Sequence, residues 1–289
     1  MKKKCALLTI NDLTNFKCYD NLIFRPLKNA GWDCDLVSWE SLDIDWDQYK
    51  AVIIRSTWNY QEKYHSFIQV LNDITTSNAF LYNPIDIVKW NINKRYLKDL
   101  EEKNIQIVPS KWFTTFDSKE ILNSFVNFKS KRLIIKPCIS ANADLTYILE
   151  QNSSIEILSK LKNDFKNKEF IIQPFIENIK SEGEYSLIFF GNILSHVLLK
   201  IPRTGDFRVQ EEHGGILKSI LNPEIDLIKF GFKVIKNLPK PCLYSRVDVV
   251  RFENKFLLME VELIEPSLYF NMDLKSAQKF VEVFNNWHV

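Results

Sequence analysis

The chain has 289 residues, 46% hydrophobic and 26% charged, with a formal net charge of +2. That composition is ordinary for a globular protein, and the length suffices for one large domain or two to three small ones around a sizeable core. A balance so near zero gives no basis for a nucleic-acid or membrane surface, and no stretch reaches the ~18 apolar residues of a membrane span.

The start, "MKKKCALLTI", has an apolar run from Cys5 to Ile10 that is shorter than the h-region of a signal peptide, so it reads as a first strand. "YDNLIFRPLKNAG" has helical period and closes on Gly31, "DCDLVSW" is a second strand and "YKAVIIRSTW" a third. The unbroken apolar run of the third suits a buried parallel strand. A helix around "HSFIQVLNDI" follows. Alternating β and α elements predict a small open α/β sheet over residues 1–90. Neither GxGxxG nor GxxxxGK[ST] is present, so a dinucleotide fingerprint and a P-loop are unsupported. Open α/β sheets bind ligands at the C-terminal ends of strands, which makes Arg55, Ser56 and Thr57 substrate-pocket candidates. An ordinary polar loop is the competing reading.

"NINKRYLKDLEEKNI" reads as one helix capped by Asn91 or Asn93, with Lys94 and Arg95 in its first turn. Cations there oppose the helix dipole, so either an anion lies nearby or both are solvated. "RLIIKP" is a strand ending in Lys136 and Pro137, "SSIEILSKLKNDF" a helix and "EFIIQPFI" another strand. Between the first two, "CISANADL" is a small-residue loop able to bring backbone N–H groups to an anion. From Gly183 the pattern turns to hairpins: "EYSLIFF" and "ILSHVLLKIP" flank a two-residue Gly191-Asn192 turn. A polar loop containing Arg203 and Arg208 follows, then a helix from about Pro223 to Lys236. The five cysteines are odd in number and widely spaced, without a CxxC pair, which suits reduced thiols in a cytoplasm.

"YSRVDVVRFENKFLLMEVELIEP", residues 244–266, places carboxylates inside two apolar strands. A three-residue loop at 253–255 sets Asp248 opposite Glu260 and Arg246 opposite Glu262, all on one face. Val247, Val249, Leu257, Met259, Val261 and Leu263 take the other. A two-residue loop is expected to pair Asp248 with Met259 and scramble both faces. Like charges opposed at ~5 Å destabilise a sheet. Arg246 answers part of that charge and a hard divalent cation answers the rest. A solvated polar edge is the alternative.

The ordered series Lys94, Lys136, small-residue loop, "QPF", "GEYS", "KIP", "RVD", "EVE" resembles the ATP-grasp superfamily of carboxylate–amine ligases. It is similar in motif order to prokaryotic glutathione synthetase and D-alanine–D-alanine ligase. "IIRSTWNY", "NPIDIVKWNINKRYL", the run from "QPFI" to "EEHGG" and "EVELIEPSLYF" resemble the cyclo-ligases of D-cycloserine biosynthesis, which close O-ureido-D-serine into a ring. The resemblance spans nearly the whole chain. It implies an α/β fold, α+β in its C-terminal part: an N-terminal open α/β domain (1–90), a central nucleotide-clamping lid (91–174) and a C-terminal antiparallel catalytic domain (175–289).

The resemblance also implies roles. Lys94 and Lys136 hold ATP phosphates, Gln173 and the backbone near Phe175 meet adenine, Glu184 takes the ribose hydroxyls, and Lys200 reaches the γ-phosphate. Asp248, Glu260 and Glu262 hold two Mg²⁺ ions, Arg246 stabilises the developing oxyanion, and Arg208 lies near the acceptor carboxylate. Two departures stand out: "SANAD" has no glycine, and Glu262 occupies a position that is often Asn. The implied reaction passes through an acyl phosphate to an amide on a small amino-acid-like substrate, releasing ADP and phosphate. No general base stands out, with His196 inside a strand and His213 in the polar loop. The family suggests a homodimer and no nucleic-acid or membrane partner. Alternatives are a ligase acting on a peptide or protein tail, and an ATP-binding module without chemistry.

Overall fold

The computed structural model describes residues 3–141 and 143–287. Three sheets organise the chain. The first contains β1 (Lys3–Thr9), β2 (Trp32–Ser38), β3 (Ala51–Ser56) and β4 (Phe80–Tyr82), all parallel, in the order β2-β1-β3-β4. Helices α1 (Phe24–Asn29) and α2 (Tyr64–Thr76) make the crossovers after β1 and β3. Both faces of this sheet are covered, which explains the unbroken apolar runs. Cys5, Leu7 and Ile53 pack toward α1, while Ala6, Leu8 and Ile54 pack with Phe67 and Leu71 of α2.

Two short helices follow, α3 (Ile85–Asn91) and α4 (Tyr96–Glu102). The sequence predicts one helix here; the chain breaks at 92–95 instead. Arg95 is therefore the N-cap of α4 and Lys94 the residue before it, so both still face the positive end of its dipole. Asn91 bonds the backbone of Val261 and Leu263, and Asn93 accepts from the Arg95 amide at 3.0 Å. The expected anions are present: Arg95 meets Glu169 and Lys94 approaches Glu260.

The second sheet is antiparallel, in the order β5-β8-β6-β7. Its strands are β5 (Lys111–Phe113), β6 (Arg132–Pro137), β7 (Tyr147–Glu150) and β8 (Phe170–Pro174), with α5 (Ser118–Asn127) and α6 (Ile155–Asp164) closing its own small core. Side-chain caps from Asp117 and Ser154 start those helices. The small-residue loop joins β6 to β7; Asn142 within it lies outside the described residues.

After the one-turn α7 (Asn178–Ser181), the third sheet contains β9 (Glu184–Phe190), β10 (Ile193–Ile201), β11 (Ile216–Ser219), β12 (Tyr244–Phe252) and β13 (Lys255–Glu262). It is antiparallel, ordered β11-β10-β9-β12-β13. Helices α8 (Ile225–Lys236) and α9 (Ser276–Asn286) complete the chain. Gly191-Asn192 forms the expected two-residue turn, with Phe190 paired to Ile193. On one face Leu187, Phe189, Val247 and Val261 form a core with α8. The opposite face changes character along its length: Ile188, Phe190, Leu198 and Tyr244 pack on α9 and the first sheet, whereas Glu184, Ser186, Lys200 and Asp248 continue those rows as polar residues.

The β12–β13 pairing is as expected at Asp248–Glu260 and Arg246–Glu262, but its cause differs. Phe252 pairs with Lys255 across a two-residue turn in which Glu253 and Asn254 both have positive φ, the geometry of a type I′ hairpin. The ladder then skips Met259 in a β-bulge, and this extra residue restores the acidic face. Consequently Leu258, not Leu257 or Met259, joins the core of Val247 and Val261, while Leu257 and Met259 pack with Val108 and Ile176.

Candidate active site

The polar half of the third sheet faces the second sheet across a cleft enclosing about 1650 Å³, open solvent at its mouth included. Asp248 sits at the centre of its floor. Its Oδ1 accepts from the Ser186 hydroxyl, from Lys200 Nζ at 3.2 Å and from Arg246 Nε at 3.1 Å, and its Oδ2 accepts from the Arg246 guanidinium at 3.0 Å. Burial works to raise the Asp248 carboxyl, but Arg246 and Lys200 outweigh it and hold the group ionised. Lys200 also pairs with Glu184, whose carboxyl burial pushes above its ordinary value. Arg246 reaches Glu262 as well and lies 5.7 Å over the Tyr269 ring.

Glu260 is the meeting point of two sheets. Lys136, at the end of β6, donates to its Oε1 at 2.5 Å, and Lys94 lies 3.8 Å from its Oε2. Burial opposes ionisation here too, yet the two lysines hold Glu260 down to about 2. Glu262 has Arg246 as its ion-pair partner, and burial together with neighbouring Asp248 and Glu260 pushes it up. Lys94 further donates to the Ser140 carbonyl at 3.1 Å, tying the small-residue loop to the site.

One end of the cleft is apolar, lined by Val108, Ile134, Phe175, Ile176 and Met259. Gln173 faces this end and donates to Ser110 Oγ at 2.9 Å. The Phe175 amide is engaged by the Arg132 carbonyl, and the Arg132 guanidinium stacks 4.4 Å over the Phe175 ring. The other end is aromatic and acidic, lined by Phe16, Trp58, Tyr60, Glu211 and Glu265. Arg208 lies on this cleft but turns back on Asp206, donating from Nε and from NH2, the latter at 2.7 Å.

Eleven of the residues singled out in the sequence therefore share this cleft. Arg55, Ser56 and Thr57 do not line it. Arg55 is 1% exposed, paired with Asp20, donating to the Pro266 carbonyl at 3.0 Å and stacked on Tyr244. Ser56 bonds Thr9. The chain turns after β3, so Trp58 and Tyr60 reach the cleft in their place. The sequence reading also missed Glu265, although it lies only three positions beyond Glu262 in the same acidic stretch. His196 is off the cleft, and burial lowers its imidazole to about 4; His213 is off it as well.

Six cations and seven carboxylates line the cleft, so it is near electrical balance as it stands. Among the described residues no three Asp, Glu, His or Cys side chains close into a metal-holding group. The reason is local: Asp248, Glu260 and Glu262 are turned onto lysine and arginine partners. Their chemistry nevertheless suits a hard divalent ion, since carboxylate oxygens on adjacent strands are its usual ligands. A polyphosphate drawing off the lysines would leave this wall short of positive charge.

Residues 5–83 match the family described as D-cycloserine synthetase DcsG, N-terminal domain, and residues 100–229 match prokaryotic glutathione synthetase, ATP-grasp domain. The chain carries an ATP-grasp domain. It is 24% identical to the cycloserine biosynthesis protein DcsG of Streptomyces lavendulae over 283 residues, 90% of each chain. The ATP-grasp fold extends over the whole molecule. A crystal structure of D-cycloserine synthetase DcsG superposes with a TM-score of 0.85 at 20% identity, covering 98% of this chain and 99% of that one. D-Alanine–D-alanine ligase from Bacillus anthracis gives 0.70 at 14% identity, covering 98% and 96%. The ATP-grasp ligase PsnB, solved with a minimal precursor, gives 0.68 at 12% identity with full coverage of both. Among the described residues no helix is long and apolar enough to cross a membrane.

Proposed function

We propose that this protein is an ATP-dependent carboxylate–amine ligase acting on a small amino-acid-like substrate. The observation that carries this reading is the convergence of Lys94 and Lys136 from one side of the cleft on Glu260 from the other, beside the Lys200–Asp248–Arg246 network. In this reading residues 1–90 supply the substrate end, 91–174 the nucleotide lid and 175–289 the catalytic floor.

The apolar end accepts the adenine. Gln173 and the Phe175 carbonyl meet its edge, because the Phe175 amide is already engaged. Glu184 accepts from the ribose hydroxyls. Lys94, Lys136 and Lys200 exchange their carboxylate partners for phosphate oxygens. Asp248, Glu260 and Glu262 would hold Mg²⁺, which would neutralise phosphate charge during the transfer. A substrate carboxylate oxygen attacks the γ-phosphorus and ADP departs, giving an acyl phosphate. The amine nitrogen then attacks the acyl carbon and phosphate leaves. Arg246 faces the developing oxyanion, and Arg208 releases Asp206 to meet the acceptor carboxylate. The polar loop and the small-residue loop keep water from the acyl phosphate.

The test is mass spectrometry of reactions with MgATP and a panel of amino acids, including O-ureido-serine of both hands. ADP and phosphate are expected with one substrate. Loss of one water from a single molecule identifies ring closure, and a joined product identifies an intermolecular amide. AMP in place of ADP would falsify the acyl-phosphate route.

A further inference from the structure

β13 is the last strand of its sheet, and among the described residues its outer edge meets other extended backbone only where Leu258 bridges Ile107. Glu260 and Glu262 pair inward, with Asp248 and Arg246 of β12. In an antiparallel ladder the residues between, Val261 and Leu263, then turn their N–H and C=O groups to the outer edge. Side chains take the place of the missing strand there. The Tyr96 hydroxyl accepts from the Val261 amide at 3.0 Å. The Asn91 carboxamide donates to the Val261 carbonyl at 2.8 Å and accepts from the Leu263 amide at 3.0 Å. Asn83 donates to the Leu263 carbonyl at 2.7 Å. Consecutive peptide planes, from 260–261 to 263–264, are thus each held by one bond.

Among these side chains Asn91 has a particular place. Its bonds fall on the two peptide planes that flank Glu262, as those of a neighbouring strand residue would, because a carboxamide carries donor and acceptor together. Asn91 itself is anchored: it ends α3, is 8% exposed, and a little further on the Lys94 amide donates to the Cys138 carbonyl at 2.8 Å. Although Asn91 lines the cleft, both ends of its carboxamide are engaged, so it acts through β13 rather than on a ligand. The Glu262 side chain, by contrast, is 31% exposed with Arg246 as its ion-pair partner. The direction in which its carboxylate enters the cleft therefore depends on the planes at its base.

The geometry points to Asn91 as a positioning residue for the proposed transfer: it aims Glu262, and with Tyr96 also Glu260, at the place where the phosphates and their metal would lie. This rests on the ligase reading and adds to it a residue that acts through the backbone of the acidic strand. Buried backbone groups need partners for folding in any case, so the test must separate aim from stability.

The experiment compares wild type with Asn91→Ala, Tyr96→Phe and a control, Leu71→Ala, which opens the core beneath α2 in the first sheet. Affinity for a non-hydrolysable ATP analogue is measured by calorimetry with and without Mn²⁺, and the melting temperature is recorded for each protein. The readout is the gain in affinity that Mn²⁺ confers. Removing a group that orients a metal ligand costs roughly 10- to 100-fold in metal affinity or activity. Asn91→Ala is expected to shrink the Mn²⁺ gain by that factor and to leave the metal-free affinity unchanged. Tyr96→Phe keeps the ring and removes only the hydroxyl; it should lose a smaller part of the gain, and it carries the test if Asn91→Ala does not fold. The control should melt lower with its Mn²⁺ gain intact. A full Mn²⁺ gain in Asn91→Ala, or in Tyr96→Phe where that is the variant available, overturns the inference. So does an equal loss in the control, which would make the effect one of stability. Analogue binding by wild type without any Mn²⁺ gain overturns the inference together with the metal assignment and leaves nucleotide binding standing. Failure of wild type to bind the analogue removes the ligase reading as well.

Discussion

Asp248 is buried and Glu260 half-buried, and both are ionised, yet their substitution should have different consequences. Asp248 is the shared partner of Arg246 and Lys200, so Asp248→Asn leaves two buried cations with one carboxylate partner each, Glu262 and Glu184. A stability loss of about 3–5 kcal/mol is expected in denaturant titration, alongside lost turnover. Glu260 sits at the cleft wall, where its lysine partners can turn to solvent or phosphate. Glu260→Gln should therefore keep its melting temperature within a few degrees while ADP formation falls on the order of 10²- to 10³-fold. Glu265 gives a pH signature. Burial first, and the Glu262 charge second, push its carboxyl up to about 8 from an ordinary value of 4.5. The folded state thus retains a proton that the unfolded chain has released. Stability from this group is complete below about pH 4.5 and is lost as pH rises through about 8. Thermal melts of the ligand-free protein should show that decline, and Glu265→Gln should flatten it.

At the scale of elements, the β12–β13 hairpin depends on one extra residue. Met259 is skipped by the ladder, and without that skip the two-residue turn would set it opposite Asp248. Deleting Met259 leaves Glu260 opposite Asp248 in a regular ladder. The deletion variant is expected to fold, to keep the acidic face and to bind nucleotide roughly tenfold more weakly, because an apolar cleft side chain is gone. Circular dichroism and a nucleotide titration read the two outcomes separately. Gly183, just before β9, is a second sensitive point. Its φ is +115°, and a Cβ there would stand 2.6 Å from the Lys200 carbonyl. Gly183→Ala should destabilise the protein by about 1–3 kcal/mol in urea titration, since the obstacle is backbone of the strand that carries Lys200.

Across the whole molecule, the first and third sheets are joined by buried polar contacts as well as apolar packing. Asn83 donates to the carbonyls of Tyr244 and Leu263 and accepts from the Leu243 amide. The Tyr244 hydroxyl lies 2.6 Å from the Ile54 carbonyl and 2.8 Å from that of Ile264. The first sheet thereby supports the strand that carries Arg246 and Asp248. Asn83→Ala removes three buried hydrogen bonds, and a loss of about 2–4 kcal/mol is expected by denaturant midpoint. The transition should remain single, because the core around Tyr244 contains residues of both sheets. Two transitions would mean that the first sheet folds by itself.

The local patterns were legible in the sequence. Alternation along 246–248 and 260–262 placed the acids on one face, and the apolar run at 51–54 marked a strand buried on both sides. The order of Lys94, Lys136 and the acidic hairpin pointed to a shared site only through the resemblance to ATP-grasp ligases, whereas covalent alternation fixed which side of its strand each acid takes. Tertiary structure decided what alternation cannot express. It set where the ladder slips, so that Met259 enters the cleft. It broke the predicted helix at 92–95 so that Lys94 reaches Glu260. It turned the chain after β3, burying Arg55 under Tyr244 and bringing Trp58 to the cleft. The partner of each charge is a question of distance between sheets, and the sequence alone contains no such distance.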